Sequence, residues 1–155
     1  MNKRIKKKQI KMNNKKLCKR YPFLIPRNRW TDKKMWDKTD KDFMPYSYTE
    51  LDAMPDGWQH AFGIKMCEEI RGELIKCNYL YKYRIIDIKE KFGELRWYDN
   101  GAPTKSAEKI WEIIDKYTEL SRHICMMCGR SAEIASEDYW LYTLCDKCKE
   151  KINRR

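Results

Sequence analysis

Cys125-Met126-Met127-Cys128-Gly129 and, sixteen residues beyond that first pair, Cys145-Asp146-Lys147-Cys148 decide how this chain is built. Two Cys-x-x-Cys units at this separation are the spacing of a four-thiolate zinc site, in which four sulfurs lie about 2.3 Å from one tetrahedral metal. The expectation is therefore a structural Zn2+ held by Cys125, Cys128, Cys145 and Cys148. A closed four-sulfur shell leaves no open position for chemistry, so the same residues argue for a protein that binds rather than catalyses. Gly129 stands where a knuckle turn needs a residue tolerant of positive φ. Arg130, Lys147 and Lys149 supply positive charge against four thiolates. Between the pairs, Tyr139-Trp140-Leu141-Tyr142-Thr143-Leu144 reads as a strand rich in aromatic and branched side chains, and residues 123–155 read as a zinc ribbon.

Outward from this site, charge divides the chain. The net charge is +11 over 155 residues. Residues 1–34 hold fourteen Lys or Arg against one acid, Asp32, giving +13, whereas the remaining residues hold twenty against twenty-two, giving −2. A fold that reads duplex DNA carries its basic residues on its folded face, and this body is nearly neutral. Any affinity for RNA or DNA is expected to reside in the basic tail. No apolar run reaches the roughly 20 residues of a membrane span, and the basic N-terminus lacks an apolar signal core, so the expected location is the cytoplasm, with no membrane partner. The three cysteines outside the site, Cys18, Cys67 and Cys77, fit a reducing compartment.

The chain is read as an α+β fold in four parts. Residues 1–20 form a basic tail without helical apolar periodicity, expected to be disordered or ordered by a partner. Residues 21–50 form an extended aromatic and basic arm, with Arg27, Arg29 and Trp30 as candidate partner contacts. Its aromatics either stack on bases or pack across the core, and packing is the favoured reading. Residues 51–122 form the body. Within it, Asp56 is expected to cap a helix running to about Asn78, with Phe62, Met66, Ile70 and Leu74 on its apolar face. A hairpin follows, Tyr81 to Ile88 and Glu94 to Tyr98, turning at Phe92-Gly93. A second helix over Thr104 to Arg122 shows Ile110, Trp111, Ile113, Ile114, Tyr117 and Leu120 as its stripe, and the ribbon is expected to pack against it.

The hairpin segment Lys89-Glu90-Lys91-Phe92-Gly93-Glu94-Leu95-Arg96-Trp97-Tyr98 is the second distinctive stretch. Its charges suit an exposed face, and Arg96 beside Trp97 and Tyr98 has the composition of a binding hot spot. Lys89, Lys91, Arg96 and Trp97 are therefore candidate partner contacts. With the helix, the Cys125-x-x-Cys128-Gly129 unit, Trp140 and the Thr143-Leu144-Cys145-Asp146 unit that follow, this stretch resembles a family of small, largely uncharacterised phage and prophage proteins. The resemblance spans roughly Asp56 to Cys148. This chain departs from the family's pattern where Ser131-Ala132 replaces a second Gly after the first pair, and where Cys148 stands in a position that is sometimes His. The resemblance implies a phage or prophage origin and carries no activity with it.

Three functions are open at this stage. The first is a non-enzymatic accessory protein with structural zinc that binds nucleic acid or a host or phage nucleoprotein complex. The second is an inhibitor of a host defence complex, anti-CRISPR-like, acting by protein–protein binding. The third, least favoured, is a metal-dependent nuclease suggested by Pro55-Asp56 and Asp87-x-Lys89. Only His60 and His123 are present as histidines, and no phosphate-binding Gly loop, His-Glu-x-x-His or nucleophile elbow occurs.

Overall fold

The structure, a computed structural model, describes residues 3–36, 45–137 and 140–153. It is α+β, with helices and two small antiparallel sheets. The basic N-terminal segment, expected to be disordered or ordered by a partner, forms the helix α1 (Lys3–Arg20) with its end packed on the chain's own core. Lysine is a good helix former, but an 18-residue run of like charge is marginal alone. Its C-terminal end is tied down. Cys18 is buried, Leu17 packs on the core, Asn14 Nδ2 donates to the Tyr46 carbonyl at 3.0 Å, and Arg20 forks onto Glu68.

The arm that follows belongs to the core. Tyr21, Phe23, Leu24 and Trp36 are buried together with Leu51, Met54 and Trp58, and the rings of Tyr46 and Tyr48 pack tilted and edge-on against Trp36. The hydrophobic body thus begins near Cys18 and takes in residues read as an appendage. Phe43 lies outside the described residues. Next come α2 (Asp56–Trp58), a π-helical turn over Gln59–Gly63, and α3 (Ile64–Lys76), which together occupy the span expected of one helix. Pro55 rather than Asp56 stands at the cap position, without a side-chain cap. The apolar face is as read: Phe62, Met66, Ile70 and Leu74 are all buried.

The first hairpin pairs β1 (Ile85–Lys91) with β2 (Glu94–Asp99), and Tyr81 to Arg84 lead into it as turns. Its two-residue turn has φ of 57° at Phe92 and 78° at Gly93, the type I′ arrangement that matches strand twist. Leu95 and Trp97 alternate inward on β2, while Arg96 and Tyr98 alternate outward. The next helix, α4 (Thr104–Ser121), is pinned along β2: Ser121 Oγ accepts from the Leu95 amide at 2.8 Å and Thr118 Oγ1 donates to its carbonyl at 3.3 Å. Against α3, the ring of Tyr117 stacks on Phe62 at 5.4 Å and its hydroxyl donates to Glu69 at 2.7 Å. The second sheet pairs β3 (Ile134–Glu137), which was not expected, with β4 (Trp140–Thr143). A terminal helix, α5 (Asp146–Asn153), also unexpected, closes the described chain. Among the described residues no helix is long and apolar enough to cross a membrane.

Candidate metal centre

Cys125 and Cys128 lie on the loop after α4, Cys145 on the loop after β4, and Cys148 on the first turn of α5. Their four sulfurs lie within 4.8 Å of one another, and Cys128 Sγ is 3.6 Å from Cys145 Sγ. A tetrahedron with 2.3 Å metal–sulfur bonds has edges of about 3.8 Å, so this donor set fits a metal ion. Soft thiolates are the ligands that favour zinc, copper(I) or iron–sulfur chemistry over calcium or magnesium. Cys125 and Cys148 are buried and the other two half-buried, so all four positions of a tetrahedral ion would be filled from the protein.

The backbone aims the sulfurs. Gly129, at φ 75°, returns its amide to the Cys125 carbonyl at 2.9 Å, and the Cys125 amide donates to the Arg130 carbonyl at 2.6 Å. Across the site, the Cys148 and Lys149 amides both donate to the Cys145 carbonyl, which starts α5. Arg130 is the electrostatic partner that residue type suggested. Its Nε lies 3.3 Å from Cys128 Sγ and Nη2 lies 3.6 Å from Cys145 Sγ. The guanidinium pulls the Cys128 thiol down to about 6, whereas Cys148, shielded from water among the other sulfurs, is pushed up to about 12.

The site is docked on α2 and on the first hairpin. At Gly57, a Cβ would stand 2.1 Å from the Cys125 carbonyl oxygen and 2.6 Å from the Gly129 nitrogen, so only glycine fits this approach. The Gly57 amide donates to the Met126 carbonyl at 2.9 Å, and Trp58 Nε1 donates to the Ile124 carbonyl at 2.6 Å. On the other side, fully buried Thr143 donates its hydroxyl to the Gly93 carbonyl at 2.6 Å. The Asp56-Gly57-Trp58 signal was legible as a helix entry. That it also seats the cysteine loop was invisible, because the contact joins residues almost seventy positions apart.

The remaining candidates lie on the first hairpin and on the turn before Trp36. Trp97 is a correction: only 5% exposed, with its indole donating to the Tyr83 hydroxyl at 3.1 Å, it is a core side chain and offers no anchor to a partner. Its large apolar ring occupies the inward register of β2, opposite Ile88. Arg96 is half-exposed but committed to buried Glu94, which also pairs with Arg122. Lys89 pairs with Asp87 and lies 5.3 Å over the Tyr98 ring; exposed Lys91 lies 5.1 Å over Phe92. Arg27, Arg29 and Trp30 lie on a turn before Trp36 that borders the first hairpin, where Arg29 shares Asp87 with Lys89. Of the nuclease pattern, Asp56 is at the docked end of α2, while Asp87 faces Lys89 and Arg29.

Sequence reasoning missed Phe92 and Trp140 as surface features. Phe92 is 59% exposed despite its strained positive φ, Trp140 is 75% exposed, and with Leu141 they line an open apolar cavity of about 480 Å³. The signal available was an aromatic where a type I′ turn prefers Asn or Gly. No protein-family model, no curated protein and no solved structure matches this chain.

Proposed function

We propose that this chain is a non-enzymatic phage or prophage accessory protein, stapled by structural zinc at Cys125, Cys128, Cys145 and Cys148, that binds nucleic acid or a nucleoprotein complex through its N-terminal basic helix. The observation that carries the reading is α1: ten Lys or Arg and no acid on one 18-residue helix, of which Lys6, Lys7, Lys8, Lys15, Lys16, Lys19 and Arg20 are exposed, while Asn14, Leu17 and Cys18 anchor it. A helix presents these charges at fixed spacing, which a phosphate backbone can track by releasing counterions. The nearly neutral body supplies the rigid mount. Four thiolates close the coordination shell, so the metal's contribution is to hold β3, β4 and α5 in place.

The test is binding of the full chain to RNA and DNA oligonucleotides at about 50 and 200 mM salt, beside a variant with Lys6, Lys7, Lys8 and Lys15 changed to Gln. The wild type should bind and lose about tenfold or more across that salt range, and the variant should bind more weakly with a shallower salt slope. No binding at the lower salt would overturn the reading. One zinc per chain in native mass spectrometry tests the metal.

A second reading, inhibition of a host defence complex by protein contact, is favoured by the Phe92, Trp140 and Leu141 cavity, since strained and exposed aromatics suit a protein interface. Under it, Trp140→Ala would abolish partner capture while the α1 variant would not.

A further inference from the structure

Trp30 is 93% exposed, the most exposed large apolar side chain among the described residues. It does not hang from a loose loop. Asn28 Oδ1 accepts from the amides of Trp30 and Thr31 at 2.9 and 3.1 Å, the Asn28 amide donates to the Lys33 carbonyl at 2.9 Å, and the Asp32 amide donates to the Asn28 carbonyl at 2.9 Å. Below, Arg27 bridges to Lys34 and the Met35 amide donates to the Pro26 carbonyl. Asp32 completes the turn at φ 53°. The backbone is thus closed beneath an indole exposed to water.

The surroundings of that indole are basic. A cavity of about 180 Å³ next to the turn is lined by Arg27, Arg29 and Arg84, with Asn28, Asn100 and Asp32. Asp32 pairs with both Arg27 and Arg84, Arg29 reaches Asp87 at 3.5 Å, and Arg27 and Arg84 are further held by the carbonyls of Asp32, Tyr81 and Tyr83, so the three guanidiniums are fixed in place beside two acids. Arg27 Nε is buried without a hydrogen-bond partner among the described residues. Lys33 and Lys34 are exposed on the same turn, and Lys34 lies close enough to Cys18 for its charge to act on that thiol, so the turn borders the anchored end of α1.

We propose that the turn from Asn28 to Lys33 is a base-stacking platform, in which Trp30 takes the face of an unpaired nucleobase from single-stranded RNA or DNA and the Arg27, Arg29 and Arg84 group takes the adjoining phosphate. The proposal rests on the nucleic-acid reading above and narrows it to unpaired strands. Every base offers a π face, and a guanidinium fork matches phosphate geometry, so the pairing of an exposed indole with arginines selects for a flexible strand whose bases are not already stacked in a duplex. The positive helix α1 would then carry the backbone onward without reading sequence.

The experiment compares affinities of the wild-type full chain, Trp30→Ala, Trp30→Phe and the α1 lysine variant for a single-stranded RNA, a single-stranded DNA and a blunt duplex of equal length. Thermal melts confirm that the variants fold, as expected for a side chain that touches little. Trp30→Ala should weaken single-strand binding about 5- to 150-fold, the loss of one base stack, with duplex affinity and salt slope unchanged. Trp30→Phe should retain most of it, and the strand type showing the larger loss identifies the ligand. The α1 variant should weaken strand and duplex alike. If the wild type binds both forms and Trp30→Ala changes neither, or changes both equally, the platform is overturned while the nucleic-acid reading stands. If the wild type binds neither form, both fall. If Trp30→Ala abolishes capture of a protein partner and leaves strand affinity intact, the platform is likewise overturned.

Discussion

The two hairpins have the same topology and opposite means of support. In β1–β2, Ile88, Leu95 and Trp97 point into a core shared with α3 and α4, and Leu95 is fully buried. In β3–β4, Trp140 and Leu141 face water, and the buried cluster behind the sheet consists of Cys125, Ala132, Leu144 and Cys148. A two-stranded sheet with so little apolar cover is at best marginal by itself. The first hairpin is therefore held by burial, and the second by whatever holds the four sulfurs together. A buried hydrogen bond links them, from the hydroxyl of Thr143 to the carbonyl of Gly93.

The largest effect that could break this comparison is loss of the metal. Chelation, or Cys125→Ser with Cys145→Ser, should erase amide hydrogen-exchange protection in β3, β4 and α5 while Leu95 and Trp97 stay protected, because structural metal binding is itself folding free energy. Simultaneous loss of both hairpins, or no loss at all, would show that they are not separately supported. Next in size, Leu95→Ala should cost about 2–5 kcal/mol in denaturant unfolding, whereas Leu141→Ala, at a 40% exposed position, should cost about 0.5 kcal/mol or less. Equal costs would sink the contrast.

Thr143→Val keeps the shape and removes the donor to Gly93, for an expected cost of about 1–3 kcal/mol. That loss should appear as weaker protection in the second hairpin with the first unchanged. The smallest effect concerns Glu50, which packs near β1. Burial pushes its carboxyl from 4.5 up to about 7, opposed by the Arg27 amide and the Arg29 charge. The folded form keeps its proton to higher pH than the unfolded form, so stability is highest below about pH 4.5 and declines as pH rises through about 7. Because Glu50 is partly solvated, the effect is modest. Glu50→Gln should raise the melting temperature by about 2–4 °C near pH 8 and leave it unchanged near pH 4. A gain at the lower pH instead would reverse the assignment.

What could be read in advance was local. The four cysteines meet because their spacing is short and their chemistry shared, and Phe62, Met66, Ile70 and Leu74 repeat every helical turn, so the buried face of α3 followed. The turn at Phe92-Gly93 followed from two flanking strand patterns. Burial of Trp97 was knowable from its alternation with Leu95, yet its hot-spot composition led to a surface reading. The order in α1 was not knowable from periodicity, because the segment is stabilised by three residues at one end that contact Tyr46 and the core. Strand β3 was missed because Ile134-Ala135-Ser136-Glu137 is a weak strand former, paired into place by β4.

By itself the sequence determined the α+β class and the helix, hairpin and helix of the body, the metal-capable cysteine set and the concentration of positive charge in the first 34 residues, since each depends on neighbours within a few turns of chain. Only the tertiary structure decided that Gly57 receives the cysteine loop, that the aromatic arm completes the core, and that Trp36 is buried while Trp30 is held in water. Those outcomes depend on close packing between distant segments, where one Cβ or one hydrogen bond selects the arrangement and no local pattern records it.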